Sequence, residues 1–160
     1  MSSRVSPPNG PFARWRLPLA IVLLGALAYC NSPFGDYCYD DVYIVRDCRA
    51  IERWSGLIHL ASRDFGPEFG DMRYRPVGAA TYFLDAIVFG KRPFFTRVLN
   101  VVTHLAAALA LFGLWRRVLR DETLAFLAAA IFVCHPIATE VVNGAFRRDA
   151  LSLLLAVAAL

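Results

Sequence analysis

Charge is scarce in this chain: only 19% of its 160 residues are Asp, Glu, Lys or Arg, against about a quarter in an average globular domain. The shortfall is uneven. Leu17–Cys30, Val98–Trp115 and Leu124–Cys134 carry no acid, lysine or arginine, and Ala150–Leu160 forms a fourth apolar run. With 58% hydrophobic residues, the composition excludes a disordered chain and places the protein in a membrane. Four cysteines are too few for a disulfide scaffold. Cys38 and Cys48 share a polar stretch in which a disulfide is chemically permitted but not specified, and Cys30 and Cys134 are expected as membrane-embedded packing residues. The run Ala150–Leu160 falls short of the roughly 20 residues that cross a bilayer. The chain is therefore expected to be the N-terminal piece of a longer polytopic protein.

Several motifs are missing as well. No C-x-x-C or H-x-x-x-H pair is present, and His59, His104 and His135 stand apart, so no metal site and no cofactor are expected. The glycines are scattered, which excludes a phosphate-cradling nucleotide loop, and no G-x-S-x-G marks a nucleophile elbow. The 17 basic residues outnumber the 13 acidic ones, yet they alternate with acids around apolar runs. They make no continuous stripe for nucleic acid.

The charges that are present sort the apolar runs by side. Arg4, Arg14 and Arg16 precede the first run without an acid, so residues 1–16 are expected in the cytoplasm and 17–34 as the first span. A cleaved signal peptide ending at Ala26-Leu27-Ala28 is the rival reading. Residues 35–96 then form an outer loop. Within it, Arg46–His59 has the apolar spacing of an amphipathic surface helix, and Pro76–Gly90, short and carrying Asp85, is read as a second one. The cluster Arg116, Arg117 and Arg120 fixes the inner end of a span over 97–115. A cytoplasmic turn over 116–122, a span over 123–136, an outer loop over 137–149 and the start of a fourth span at 150–160 follow. Lys91, Arg92 and Arg97 lie on the outer side against the positive-inside rule, a cost that anionic substrate groups would offset.

This topology gathers chemistry on one face. Asp40 and Asp41 stand just beyond the first span, where a carboxylate can take the proton from an attacking hydroxyl; an acidic pair there can also simply cap a helix. Arg75, Arg147 and Arg148 have the planar fork that holds a phosphate, though arginines flanking a membrane also bind headgroups. His135 and Glu140 share the outer side. Arg97, Asn100 and His104 fall at i, i+3 and i+7 of an otherwise apolar helix, which predicts an interior-facing stripe engaged either in helix–helix hydrogen bonds or in ligand contact.

The order of YDDVYIVRD, a Trp- and Leu-bearing loop, YRPVGAATYFLDAIVFGKRPFFTRVLNVVTHLAAALALFGLWRRVL and CHPIATEVVNGAFRRDALS resembles the N-terminal membrane region of the transmembrane and tetratricopeptide-repeat O-mannosyltransferases and their bacterial relatives. More distantly it is similar to the protein O-mannosyltransferases and the lipid A aminoarabinose transferases, all of the GT-C superfamily. The resemblance implies an all-α, polytopic membrane fold: a GT-C-like N-terminal half with juxtamembrane helices in the first outer loop. It implies transfer of a sugar from a polyprenyl-phosphate donor to a protein or other hydroxyl acceptor, with membrane lipids as surroundings and no nucleic acid. It puts the catalytic acids at Asp40 and Asp41, and donor phosphate at Arg75, Arg147 and Arg148. It also singles out His135, Glu140, Asn100 and His104. A bacterial inner membrane with a periplasmic active face is the expected location. The chain departs from the pattern at Ala138, where many relatives carry a second His. A non-catalytic anchor for a tetratricopeptide-repeat scaffold is the alternative function.

Overall fold

The computed structural model describes residues 13–38, 41–48, 76–144 and 147–160, and helices are the only regular elements among them. The six α-helices are α1 (Arg16–Ala28), α2 (Pro76–Phe89), α3 (Pro93–Leu119), α4 (Glu122–Cys134), α5 (Ala138–Asn143) and α6 (Arg147–Ala158). Short helical turns add Ala13–Trp15, Ser32–Phe34 and Val42–Arg46, the last of them π-helical.

The longest helix, α3, is the post against which the others pack. Pro93 opens it, with Arg92 extended before it, because a proline at the first position loses no needed N–H bond. At about 1.5 Å per residue its 27 residues reach about 40 Å, more than the roughly 30 Å of a hydrocarbon core. Arg116 and Arg117 lie in its last turn, where cations complement the helix dipole. Arg120 then takes a left-handed conformation, φ 54°, and Asp121 caps α4 by accepting from the N–H groups of Thr123 at 2.8 Å and Leu124 at 3.0 Å. This connection turns α4 back along α3.

Small residues let α1, α3 and α4 approach closely. Their shared core is Ile21, Ala108, Phe112, Ala125, Ala129 and Val133, flanked by Leu105 and Leu109. Gly25 marks the tightest point: a Cβ there would stand 2.3 Å from a methyl of Leu105 and 2.8 Å from one of Val133. The reverse faces are apolar and exposed, with Leu19, Leu23 and Leu27 on α1 and Leu124, Leu127 and Ile131 on α4. Two segments, Arg16–Phe34 and Pro93–Leu119, are long and apolar enough to cross a membrane.

A second core lies under α2, where Tyr82, Phe83 and Ala86 pack with Tyr37, Val45 and Cys48. The turn after α2 uses two consecutive positive-φ residues, Gly90 (69°) and Lys91 (52°). Lys91 Nζ is tethered by donating to the carbonyls of Arg46 at 3.2 Å and Cys48 at 2.6 Å. Cys38 and Cys48 are free thiols, so the permitted disulfide is not formed. Cys30, in the turn after α1, and Cys134, the last residue of α4, are exposed and take no part in this packing, which is carried by Gly25 and the alanines.

Candidate functional site

Thr96, Arg97, Asn100 and His104 repeat along one stripe of α3, and all four are buried. Each reaches a different segment. Arg97 donates to the carbonyls of Asn143 and Asp36. The amide of Asn100 donates to the carbonyls of Val142 at 3.2 Å and Gly144 at 2.6 Å. His104 Nε2 lies 3.4 Å from the Val133 carbonyl, with the ring edge-on to Tyr29 (centroids 5.6 Å) and tilted over Phe132 (5.0 Å). The polar stripe thus ties α3 to the end of α4, to α5 and to the segment after α1.

Arg147, in the first turn of α6, completes the cluster. Its guanidinium grips both oxygens of Asp85 on α2, at 3.1 and 2.5 Å. Nε donates to Asn100 Oδ1 at 2.9 Å and a terminal nitrogen also reaches the Thr96 carbonyl at 3.1 Å. Asn100 therefore accepts once and donates twice, using both ends of its amide. Charge balances here: Asp41, Asp85, Arg97 and Arg147, at 3–5% exposure, are two of each sign. A buried charge without compensation is expensive, and the direct Asp85–Arg147 ion pair at 2.5 Å compensates two of the four.

Tyr37 links the acidic loop to the same cluster, its hydroxyl 3.1 Å from Thr96 Oγ1. Burial pushes this phenol above its ordinary value of 10.0; the Thr96 bond pulls it down, and the Asp85 and Asp41 carboxylates push it further up. Asp41 precedes the turn Val42–Arg46 without a side-chain capping bond, so capping is not what this acid does.

The residues singled out from sequence fall in distinct places. Asn100 and Arg147 are in direct contact. His104 and Glu140 line one cleft of about 450 Å³ between α3, α4, α5 and α6, together with Phe132, Ile137, Asp149 and Leu153. His135 is exposed, and its Nδ1 accepts from the Ile137 N–H at 3.2 Å, closing the turn into α5. Arg148 follows Arg147 in the first turn of α6. Asp40 and Arg75 lie outside the described residues. Arg147, assigned from sequence to a phosphate, has its donors committed to protein acceptors. Asp85, Thr96 and Tyr37 join this cluster without belonging to the set of site residues that the sequence marks out. The signal for Asp85 was an acid inside an apolar helix, which requires a partner. Among the described residues no group of three His, Cys, Asp or Glu side chains is placed to hold a metal.

Exposed apolar helix faces, two segments long and apolar enough to cross a membrane, and a buried polar cluster toward the Pro93 end of α3 support a helical membrane protein. In sequence the chain is similar to proteins named as protein O-mannosyl-transferases. It is 32% identical over 150 residues to Protein O-mannosyl-transferase TMTC1 of Homo sapiens, covering 85% of this chain and 17% of that protein. Protein O-mannosyl-transferase TMTC3 of Mus musculus is 31% identical over 133 residues (80% and 14%), and TMTC2 of Homo sapiens 29% over 127 residues (76% and 15%). The chain thus spans 14–17% of the length of these relatives. They are animal proteins and lend no support to a bacterial inner membrane. No family model and no solved structure matches.

Proposed function

We propose that this chain is part of a membrane glycosyltransferase that moves a sugar from a polyprenyl-phosphate donor to a protein or other hydroxyl acceptor on the non-cytoplasmic face. The observation that carries the reading is the similarity, over 76–85% of the chain, to three proteins named as O-mannosyl-transferases. The acidic loop supplies the chemistry. Asp40 or Asp41 takes the proton from the acceptor hydroxyl as its oxygen attacks the sugar carbon and the lipid phosphate leaves. Asp41 is the member of the pair that lies among the described residues, buried at 3% exposure and close enough to Tyr37 to raise its phenol. Arg75 and Arg148 hold the departing phosphate. Arg147 acts through Asp85 and Asn100 as a positioning residue, setting where α6 begins and therefore where Arg148 lies.

The test uses a longer protein that contains this region, in sealed vesicles of known orientation, with polyprenyl-phosphate mannose and an acceptor peptide supplied on the outer side. Removing a general base lowers turnover by about 10²–10⁴-fold, so Asp40→Asn or Asp41→Asn should fall by at least that lower factor. If both variants transfer sugar at the wild-type rate, the catalytic reading is lost and the chain is an anchor.

A further inference from the structure

The end of the bundle opposite the polar cluster carries arginines that the fold does not use. Leu17 at the start of α1, Trp115 near the end of α3 and Phe126 at the start of α4 flank one core, so these three helix ends share a rim. Five arginines stand there, Arg14, Arg16, Arg116, Arg117 and Arg120, all exposed, with Asp121 and Glu122 as the neighbouring acids. Both acids are engaged. The Asp121 carboxylate caps α4, and Glu122 lies 3.4 Å from Arg116. Among the described residues Arg14, Arg16, Arg117 and Arg120 meet no carboxylate. Apolar side chains alternate with these cations: Trp15 is 54% exposed beneath the Arg14 guanidinium, and Val118, 68% exposed, follows Arg117.

We propose that this rim is a seat for anionic phospholipid, its arginines gripping headgroup phosphates while Trp15, Val118 and Leu119 enter the acyl boundary. The spacing of the two rims fits a bilayer. At the opposite end the exposed ring of Phe34 meets Phe94 at 6.1 Å, which puts the far ends of both membrane-crossing segments at one level. From Phe94 to Trp115 α3 rises about 32 Å, close to the roughly 30 Å of a hydrocarbon core. With the phenyl rings at one surface, the arginines therefore stand at the other. A guanidinium fork pairs with phosphate oxygens, and an indole settles where hydrocarbon meets headgroup. A hydrophilic polyanion would leave Trp15, Val118 and Leu119 in water. A phosphatidylcholine headgroup carries its own cation, so the excess of arginine over acid selects lipids with net negative charge.

Lipid selection is read without any sugar donor, so its outcome is independent of the transferase reading. In the Trp54→Phe chain the remaining tryptophans, Trp15 and Trp115, both report from this rim. The chain is placed in phosphatidylcholine nanodiscs in which a growing share of lipid is brominated phosphatidylglycerol or, in parallel, brominated phosphatidylcholine. Both leaflets have the same composition, so the orientation of the chain does not matter. Quenching should give a relative association constant at least about five-fold in favour of phosphatidylglycerol, the contribution of a single arginine near an anionic surface. The preference should shrink in about 1 M salt, where the Debye length is about 3 Å. Replacing Arg14, Arg16, Arg117 and Arg120 together by Gln should bring the constant to about one with the helical circular dichroism unchanged, because none of them holds a carboxylate in the fold. Arg92→Gln, at the other end of α3, should leave it as it was. A constant near one in the parent chain, or an undiminished one in the folded four-fold variant, would overturn the proposal. So would recovery of fluorescence on adding a glutamate-rich peptide or inorganic phosphate, since the partner would then be an acidic protein or a free anion and not the leaflet.

Discussion

Toward its Pro93 end, α3 meets its neighbours through Thr96, Arg97 and Asn100, whose hydrogen bonds reach Tyr37, Asp36, Arg147 and the carbonyls of residues 142–144. About two to three turns further on, the same helix meets α1 and α4 through Ala108 and Phe112 against Ile21, Ala125 and Ala129. The first contact is directional: each bond names one partner atom and tolerates little displacement. The second is steric and depends on nothing projecting from Gly25 or the alanines. In a bilayer there is little hydrophobic gain in moving a Leu from lipid to a helix interface, so close approach or a polar bond must supply the adhesion. This chain uses one device at each part of α3, and among the described residues Tyr37 and the segment 142–147 are bonded to the polar one.

The largest effect that separates the two is expected from the Asp85–Arg147 pair. Arg147→Met leaves a buried carboxylate unpaired and should cost about 3–5 kcal/mol, measured by reversible unfolding in mixed detergent micelles. Replacing the pair, Asp85→Leu with Arg147→Met, should recover most of that loss, because an apolar pair of similar volume is often neutral. If the double variant stays as unstable as the single one, the polar end is held by its individual hydrogen bonds and not by charge compensation. Gly25→Leu tests the steric contact. Its side chain would enter space held by Leu105 and the stiff, β-branched Val133, and should cost about 1–3 kcal/mol in the same assay. A cost below that range would mean that α1 is only loosely seated. The smallest effect is expected at Asp121→Ala, which removes one exposed cap from α4 and should cost about 1 kcal/mol. An effect as large as that of Gly25→Leu would show that the α3–α4 turn, rather than the small-residue contact, sets how these helices pack.

What could be read from the residues follows from the range of the interaction. The apolar runs around Leu17–Cys30, Val98–Trp115 and Leu124–Cys134 coincide with α1, α3 and α4, since helical periodicity and low charge are local properties. The stripe Arg97, Asn100 and His104 was legible for the same reason, and its burial follows from the cost of polar groups in lipid. Arg147 was not legible in this way. Its partner lies 62 residues away, and no spacing rule connects an acid in α2 to an arginine at the start of α6. Read in isolation, such an arginine looks like a ligand-binding group; only the packing shows how few of its donors remain. The cleft was equally out of reach, because Glu140 and His104 share it only after α4 and α5 have folded back beside α3.

The long separation within the Asp85–Arg147 pair also imposes an order on assembly. Helix α2 is made well before α6, and until Arg147 has emerged the carboxylate of Asp85 has no guanidinium to receive it. Dehydrating a lone carboxylate costs several kcal/mol, which favours a hydrated position for α2 until Arg147 is there to pair with it. The α6 arginine thus latches α2, and through α2 the segment of Tyr37, Val45 and Cys48 packed beneath it.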